Sequence, residues 1–417
     1  MRARREFAEP RIRERLRVAL LAGTLAQAGA EKQLMYCARG LAEAGVDLRI
    51  YSLTRDEAYE GVLKGLALQP SWAGPSTNPL LRLATLGKLM RSFHPHVIQS
   101  FHGFTNLYVG LIARWLGAIG VGGLRISLRH FRQANGGWTR WLLRAPTGLV
   151  VNSHAVLQEV VDSGYLARRQ IYFLPNVIDL AEFDRSAQSG DAPAGAESGR
   201  CTVMFVGRLV PQKRGDRFLH VLAMASRRGA SIKGLVVGGG PERSAMEDLA
   251  WNLGLLPHHV AFLGPRRDVP ALLTRADMLV SCSDDEGVPN VILEAMAAGR
   301  PVITTPAGDA ASVVADGVTG YVVPFDDIEG MAERIAHLAA SPHLRRRLGT
   351  SGRRRVEQDY SGDGLAGRLL SIYRQMAHGL GHRQVLNLLR TGPEVVVPSH
   401  AAAMNGALTT HEAGGLH

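Results

Sequence analysis

Short apolar runs recur along the chain, alternating with stretches whose apolar positions fall three and four apart. The first run, residues 16–22 (LRVALLA), reads as a buried strand. A loop with Gly23 and Gly29 follows, then a helix over 30–44 closed by Gly45, then a strand over 46–53. Residues 54–78 are irregular and polar, punctuated by Pro70 and Pro75. Strands are predicted at 97–100, 119–128, 148–151 and 171–174, with helices over 80–93, 105–116 and 152–163. The pattern restarts at 201–206, with strands at 235–237, 260–263, 278–281, 301–305 and 321–323. Helices are predicted at 215–228, 242–253, 289–298, 326–340, 342–359 and 362–376. Strands that read as continuous apolar runs, separated by helices, build parallel sheets covered on both faces. Two such series predict an α/β protein of two Rossmann-like, doubly wound domains.

The first domain is expected over 16–180 and the second over 201–360. Residues 184–200 (DRSAQSGDAPAGAESGR) are small and polar, the composition of a linker. Residues 1–15 read as a disordered basic tail, and 378–417 as a loosely ordered one.

The balance of 48 basic to 37 acidic residues gives a formal charge of +11, which calls for an anionic partner without choosing one. Aromatic content of 6% with no basic–aromatic interleaving argues against nucleic acid. Cys37, Cys201 and Cys282 have no metal-ligand spacing and read as buried thiols in a reducing cytoplasm. No apolar run reaches the length of a membrane span.

Chemistry concentrates where predicted strands end. Residues 281–301 (SCSDDEGVPNVILEAMAAGRP) read as a strand end, a polar loop and a helix stopped by Gly299 and Pro301. Asp284, Asp285 or Glu286 can cap that helix, and Pro289 suits its first turn. A helix start beyond a strand tip aims free N–H groups into the crevice of an open sheet. Glu286 lies in the loop, and Glu294 follows Asn290 by four residues on one helix face. These carboxylates suit sugar and ribose hydroxyls; equally, they suit a cap and a solvated helix glutamate. Arg208 and Lys213 flank the turn after residues 201–206 and can hold a diphosphate. His102 sits at another strand tip, and Arg129, His130 and Arg132 form a polar turn open to solvent or to an anionic acceptor.

Glu286-x7-Glu294 within EGVPNVILEAMAAGRPVI resembles the signature of retaining glycosyltransferases of the GT-B fold, family 4 (group 1). Ala28-Gly29-Ala30-Glu31 keeps all but the first glycine of a family segment, and Pro175-Asn176-Val177-Ile178-Asp179 resembles the family's Pro-Asn-Gly-Val-Asp, with valine in place of the glycine. The loop Gly308-Asp309-Ala310-Ala311-Ser312 departs from the family's Gly-Gly-x-x-Glu. The resemblance implies a nucleotide diphosphate sugar donor and no cofactor. Arg208 and Lys213 would hold the diphosphate, Glu286 the sugar and Glu294 the ribose. His102 would contact the sugar, and Gly29, Gly207, Gly238, Arg267, Gly287, Val288, Pro289 and Asn290 would complete the donor site. The helix over 362–377 would return to the first domain. With a basic pair compensating the phosphates, no metal is expected. The acceptor would be a glycan or lipid-linked glycan of surface polysaccharide or glycolipid synthesis. The implied location is cytoplasmic, with peripheral contact to anionic membrane through the basic tail or the arginines of 345–355. A nucleotide-sugar epimerase and a non-catalytic scaffold of a polysaccharide assembly complex stand as alternatives.

Overall fold

A computed structural model describes residues 14–189 and 199–391. The first sheet has seven parallel strands in the order β3-β2-β1-β4-β5-β6-β7. They are β1 (Arg17–Ala22), β2 (Asp47–Ser52), β3 (Ser71–Trp72), β4 (Val97–Ser100), β5 (Ile119–Leu124), β6 (Gly148–Val151) and β7 (Ile171–Phe173). The second has six, in the order β10-β9-β8-β11-β12-β13. They are β8 (Cys201–Val206), β9 (Ile232–Val237), β10 (Val260–Gly264), β11 (Met278–Ser281), β12 (Val302–Thr304) and β13 (Gly320–Val322). Strand order reverses between β1 and β4, where Leu21 pairs with Ser100, and between β8 and β11, where Met278 pairs with Val203. An open parallel sheet gapes at such a switch point, beyond its strand tips.

Alternating side chains of each strand enter opposite cores. Val18 and Leu20 of β1 pack with Leu34, Cys37 and Leu41 of the helix Gly29–Glu43. Ala19 and Leu21 face Leu86 and Met90 of the helix Pro79–Phe93. The helix Leu365–Leu380 packs on the first sheet, where Leu369, Ile372 and Met376 are buried and Tyr373 Oη bonds Gln99. The chain crosses between the halves near Ile178, whose N–H donates to Tyr360 O (2.9 Å) and whose carbonyl accepts from Gly362 N (2.8 Å).

Several expectations are corrected. The strand predicted over 119–128 stops at Leu124. Ser127 then caps a helix, Leu128–Asn135, where a polar turn was expected for Arg129, His130 and Arg132. Residues 54–78 contain the helix Glu60–Gly65 and the short edge strand β3. Residues 184–189 of the expected linker belong to the helix Leu180–Ser189, anchored by buried Phe183; 190–198 lie outside the described residues. The expected C-terminal tail begins as helix, with Arg383–Thr391 setting Val385 and Leu389 into the first core. Residues 1–13 and 392–417 also lie outside the described residues. Among the described residues, no helix is long and apolar enough to cross a membrane.

Candidate functional site

Both switch crevices hold a paired acid and base. At the β8/β11 crevice, Lys213 ends the turn Pro211–Lys213 and its Nζ bonds Glu286 Oε1. The same oxygen accepts from Ser283 Oγ at 2.7 Å. Gly207 lies alongside the Lys213 stem, and the β9 loop closes on it. A Cβ at Gly238 (φ 140°) would stand 1.8 Å from Gly207 O, so only glycine permits that approach. Arg208 is exposed, with no hydrogen bond or ion pair among the described residues. Arg267 is likewise exposed, at the tip of the edge strand β10, two strands from β8.

At the β1/β4 crevice, His102 Nδ1 accepts from Gly23 N (3.0 Å) and Nε2 faces Glu31 Oε1 at 3.1 Å. A donor at Nδ1 places the neutral ring's proton on Nε2, aimed at the carboxylate. Burial opposes ionisation of Glu31, yet hydrogen bonds from His102 and Thr24 hold its pKa below the ordinary value. Both ring nitrogens of His102 are therefore engaged by protein, which the sequence did not foretell. The Phe104 ring tilts against His102, 5.4 Å between centroids.

The loop and helix start after β11 reach across to the first half. Asn290 Nδ2 donates to Gly29 O (3.1 Å), and its Oδ1 accepts from Asn176 Nδ2 (2.9 Å) and Gln33 Nε2 (3.3 Å). A Cβ at Gly29 would stand 2.5 Å from Asn290 Nδ2, so this glycine accommodates an asparagine side chain. Glu294 Oε1 takes Lys32 Nζ at 2.5 Å. Burial works against the Lys32 charge, but Glu294, together with Tyr36 and Tyr59, outweighs it and the lysine pKa is raised. Asn176 Nδ2 also donates to Val288 O (3.0 Å), while its Oδ1 accepts from Arg125 (2.9 Å) and Asn152 Nδ2 (3.1 Å). Gly287 lies against the first half, where a Cβ would stand 2.9 Å from Arg125 O and 3.0 Å from Asn152 Oδ1.

None of the three acids expected to cap the helix Asn290–Ala297 does so, because each has another partner. Pro289 precedes that helix as its N-cap, without a side-chain hydrogen bond. Asp284 bonds Arg214 (3.1 Å) and buried Arg217 (2.8 Å), and Asp285 accepts from Ser127 Oγ (2.5 Å) beside His130 (3.3 Å). The departing loop at 308–312 also has a role. Asp309, 4% exposed, accepts from His154 N (2.6 Å) and Ala155 N (3.0 Å), the first N–H groups of the helix His154–Asp162. Its own N–H donates to Gly287 O (3.0 Å).

Of the residues singled out from sequence, Gly207, Lys213, Gly238 and Glu286 gather at one crevice. Gly29, Gly287, Val288, Asn290 and Glu294 form the seam between halves, and His102 stands in the opposite crevice. Arg208 follows Gly207 on the same loop, but neither its side chain nor that of Arg267 bonds to these residues among the described residues. Sequence reasoning missed Lys32 and named Asn176 and Asp309 only within family segments, without their partners across the seam.

Residues 191–355 match the family model for glycosyl transferases group 1, and residues 28–182 match the model for glycosyltransferase family 4. The lipopolysaccharide core biosynthesis glycosyltransferase LpsE of Rhizobium meliloti is 30% identical over 232 residues, 54% of this chain and 63% of that protein. A GDP-mannose-dependent α-(1-6)-phosphatidylinositol monomannoside mannosyltransferase of Mycolicibacterium smegmatis is 33% identical over 193 residues, 43% of this chain and 50% of that one. The chain thus spans half to under two thirds of these relatives' length. The crystal structure of Anabaena Alr3699/HepE in complex with UDP and glucose superposes with a TM-score of 0.76 at 19% identity, covering 86% of this chain and 99% of that one. Sucrose-phosphate synthase from Thermosynechococcus elongatus gives 0.68 at 20% identity, covering 88% and 100%. Two family models in tandem and the two facing parallel sheets agree: this chain belongs to the group 1, family 4 glycosyltransferases and has the GT-B fold.

Proposed function

We infer that the protein transfers a sugar from a nucleotide diphosphate sugar to an acceptor hydroxyl, with retention of anomeric configuration, in the synthesis of a surface polysaccharide or glycolipid. The Lys213–Glu286 pair carries this reading, because it stands at the switch crevice of the second sheet, with Arg208 on the same loop and without a partner among the described residues. A donor entering there exchanges the internal pair for two better matches. Its diphosphate takes Lys213 and Arg208, and a sugar hydroxyl takes Glu286. Each cation aimed at the leaving diphosphate lowers the barrier by about 2–4 kcal/mol in a water-poor cleft. Glu294 is released from Lys32 toward the ribose, while Gly207 and Gly238 keep backbone close to the phosphates. Two cations compensate the diphosphate charge, so the reaction needs no divalent metal. The relatives' names favour a lipid or polysaccharide acceptor.

The test is donor binding and turnover. Nucleoside diphosphates and their sugars, UDP-glucose and GDP-mannose among them, are screened by thermal shift, where a true donor raises the melting temperature as it passes its Kd. The binding donor is then hydrolysed by wild type and by Lys213→Ala and Glu286→Ala. Turnover should fall at least about hundredfold in each. Donor binding with no turnover across a panel of acceptors would overturn the enzymatic reading, and an inverted product anomer would overturn retention.

A further inference from the structure

The chain's excess charge is concentrated in one stretch. No aspartate or glutamate occurs from residue 61 to residue 158, and that stretch holds ten of the lysines and arginines in a chain of formal charge +11. It supplies three helices, Pro79–Phe93, Asn106–Leu116 and Thr139–Arg144, which lie side by side over one face of the first sheet. Gly87 lets the Trp115 ring lie against the first helix, with a Cβ there 3.3 Å from the ring. Gly110 lets Ala145 close on the second helix, with a Cβ there 2.3 Å from the Ala145 carbonyl carbon. The outer surface of this layer is unusual for a protein that meets only water. Trp138 and Trp141 are 67% and 66% exposed, Trp115 59% and Leu80 75%. Lys88, Arg91, Arg114, Arg140 and Arg144 are exposed around them, and none pairs with a carboxylate among the described residues. Arg91 rests over the Trp115 ring, 5.7 Å from its centroid.

We propose that this helical layer docks on an anionic lipid surface. Tryptophan favours the boundary between headgroups and acyl chains, and unpaired arginines beside it meet lipid phosphate. An uncompensated cationic field excludes basic partners, and exposed indoles distinguish the surface from a merely solvated one. The arginines of the helix Pro342–Asp359 are placed differently. Arg345 pairs with Asp277, Arg353 with Asp184 and Glu357, and Arg355 bonds Ser312 O. Arg346, Arg347 and Arg354 are exposed, but that helix carries no tryptophan, tyrosine or phenylalanine to enter a lipid boundary, so the membrane-facing surface is placed on the first half. Phe104, 47% exposed, extends the layer to the mouth of the His102 crevice, where its ring covers Gly23. Resting on the transfer reading above, an acceptor held in the headgroup plane would enter there.

The full chain is sedimented with vesicles of phosphatidylcholine alone and of phosphatidylcholine with phosphatidylglycerol, and tryptophan emission is recorded on both. Binding to the anionic vesicles with a blue shift is expected. Each cation near such a surface is worth about fivefold in partitioning, so Arg140→Glu/Arg144→Glu should weaken binding at least about 25-fold. Trp138→Ser/Trp141→Ser should abolish most of the blue shift, and Arg346→Glu/Arg347→Glu on the second half should change neither. No binding to anionic vesicles overturns the proposal, as does equal loss in the second-half variant. A dimer in sedimentation velocity that the tryptophan variant dissolves also overturns it. Donor hydrolysis is followed in the same variants without vesicles. Hydrolysis without membrane binding removes the docking surface alone, and membrane binding without hydrolysis removes the transferase reading alone.

Discussion

Asp309 joins the two halves through a helix terminus, and its removal should open the cleft. The carboxylate accepts the first two N–H groups of the helix His154–Asp162 from across the gap, at 2.6 and 3.0 Å. Those groups lack intrahelical partners and carry the positive end of the helix dipole, so an anion there is favoured. A hydrogen bond to a charged group contributes about 1.5–3 kcal/mol net, and a dipole contact at a helix end about 0.3–1 kcal/mol. Opening returns the carboxylate and both N–H groups to water, so only part of that sum bears on closure. About 2 kcal/mol is a fair value, and it shifts the closed-to-open ratio about thirtyfold. Asp309→Ala should show this as a longer distance between fluorophores placed at Gln133→Cys and Gln358→Cys, one exposed position on each half. Asp309→Asn should fall between, since its amide offers one acceptor oxygen and sets an N–H₂ group against the helix. An unchanged distance distribution in Asp309→Ala, with the melting temperature also unchanged, would refute the latch.

Gly29→Ala forces a methyl group to within 2.5 Å of Asn290 Nδ2, so it should raise KM for donor while leaving the melting temperature nearly unchanged; a fall in stability alone would count against a seam position. The folded-state pKa of Glu31 is depressed. Its contribution to stability is therefore present above the unfolded value near 4.5 and lost as pH falls through the folded value. Melting temperature against pH should then drop more steeply below about pH 4.5 in wild type than in Glu31→Gln, and parallel curves would show that the His102–Glu31 contact carries none of the slope. Burial pushes the thiols up to about 11 at Cys37 and about 12 at Cys201 and Cys282, so none should react with Ellman's reagent at pH 8 before unfolding.

The fold was legible because its determinants are local. Residues 16–22 and 201–206 are continuous apolar runs followed by glycine and a helix, and that pattern fits few architectures. The place of the site was legible too, since helix starts and polar loops after strand ends mark the open edge of a parallel sheet. Partners at that edge were not. Lys32 meets Glu294 across 262 residues, and Asp309 meets Ala155 across 154. Nothing within either segment signals the other. Asp309 did stand out as a break in a family pattern, but the break named neither its partner nor its role. The helix Arg383–Thr391 was missed for a related reason. Val385 and Leu389 are buried in the core and Leu386 and Leu388 pack against it, but these four apolar positions fall within five residues, too short a run to stand out in a polar C-terminal stretch.

The internal pairing of the site bears on how it must work. Lys213 with Glu286, Lys32 with Glu294 and His102 with Glu31 each match a charge or donor to a carboxylate. Removing one partner of a largely buried pair leaves the other uncompensated, which costs more than the pair itself contributes. A ligand that supplied only a phosphate would free Lys213 and strand Glu286, and one that supplied only hydroxyls would do the reverse. A nucleotide sugar brings both and can replace the Lys213–Glu286 pair at once. Selectivity for the intact donor over its nucleoside diphosphate then comes from Glu286, at the crevice, and not from the phosphate contacts. Glu286→Gln, which keeps the shape and removes the charge, should narrow the ratio of their Kd values by tightening nucleoside diphosphate binding. Calorimetric titration of wild type and Glu286→Gln with both ligands would decide it, and a ratio that stays the same would mean that the pair does not couple the two subsites.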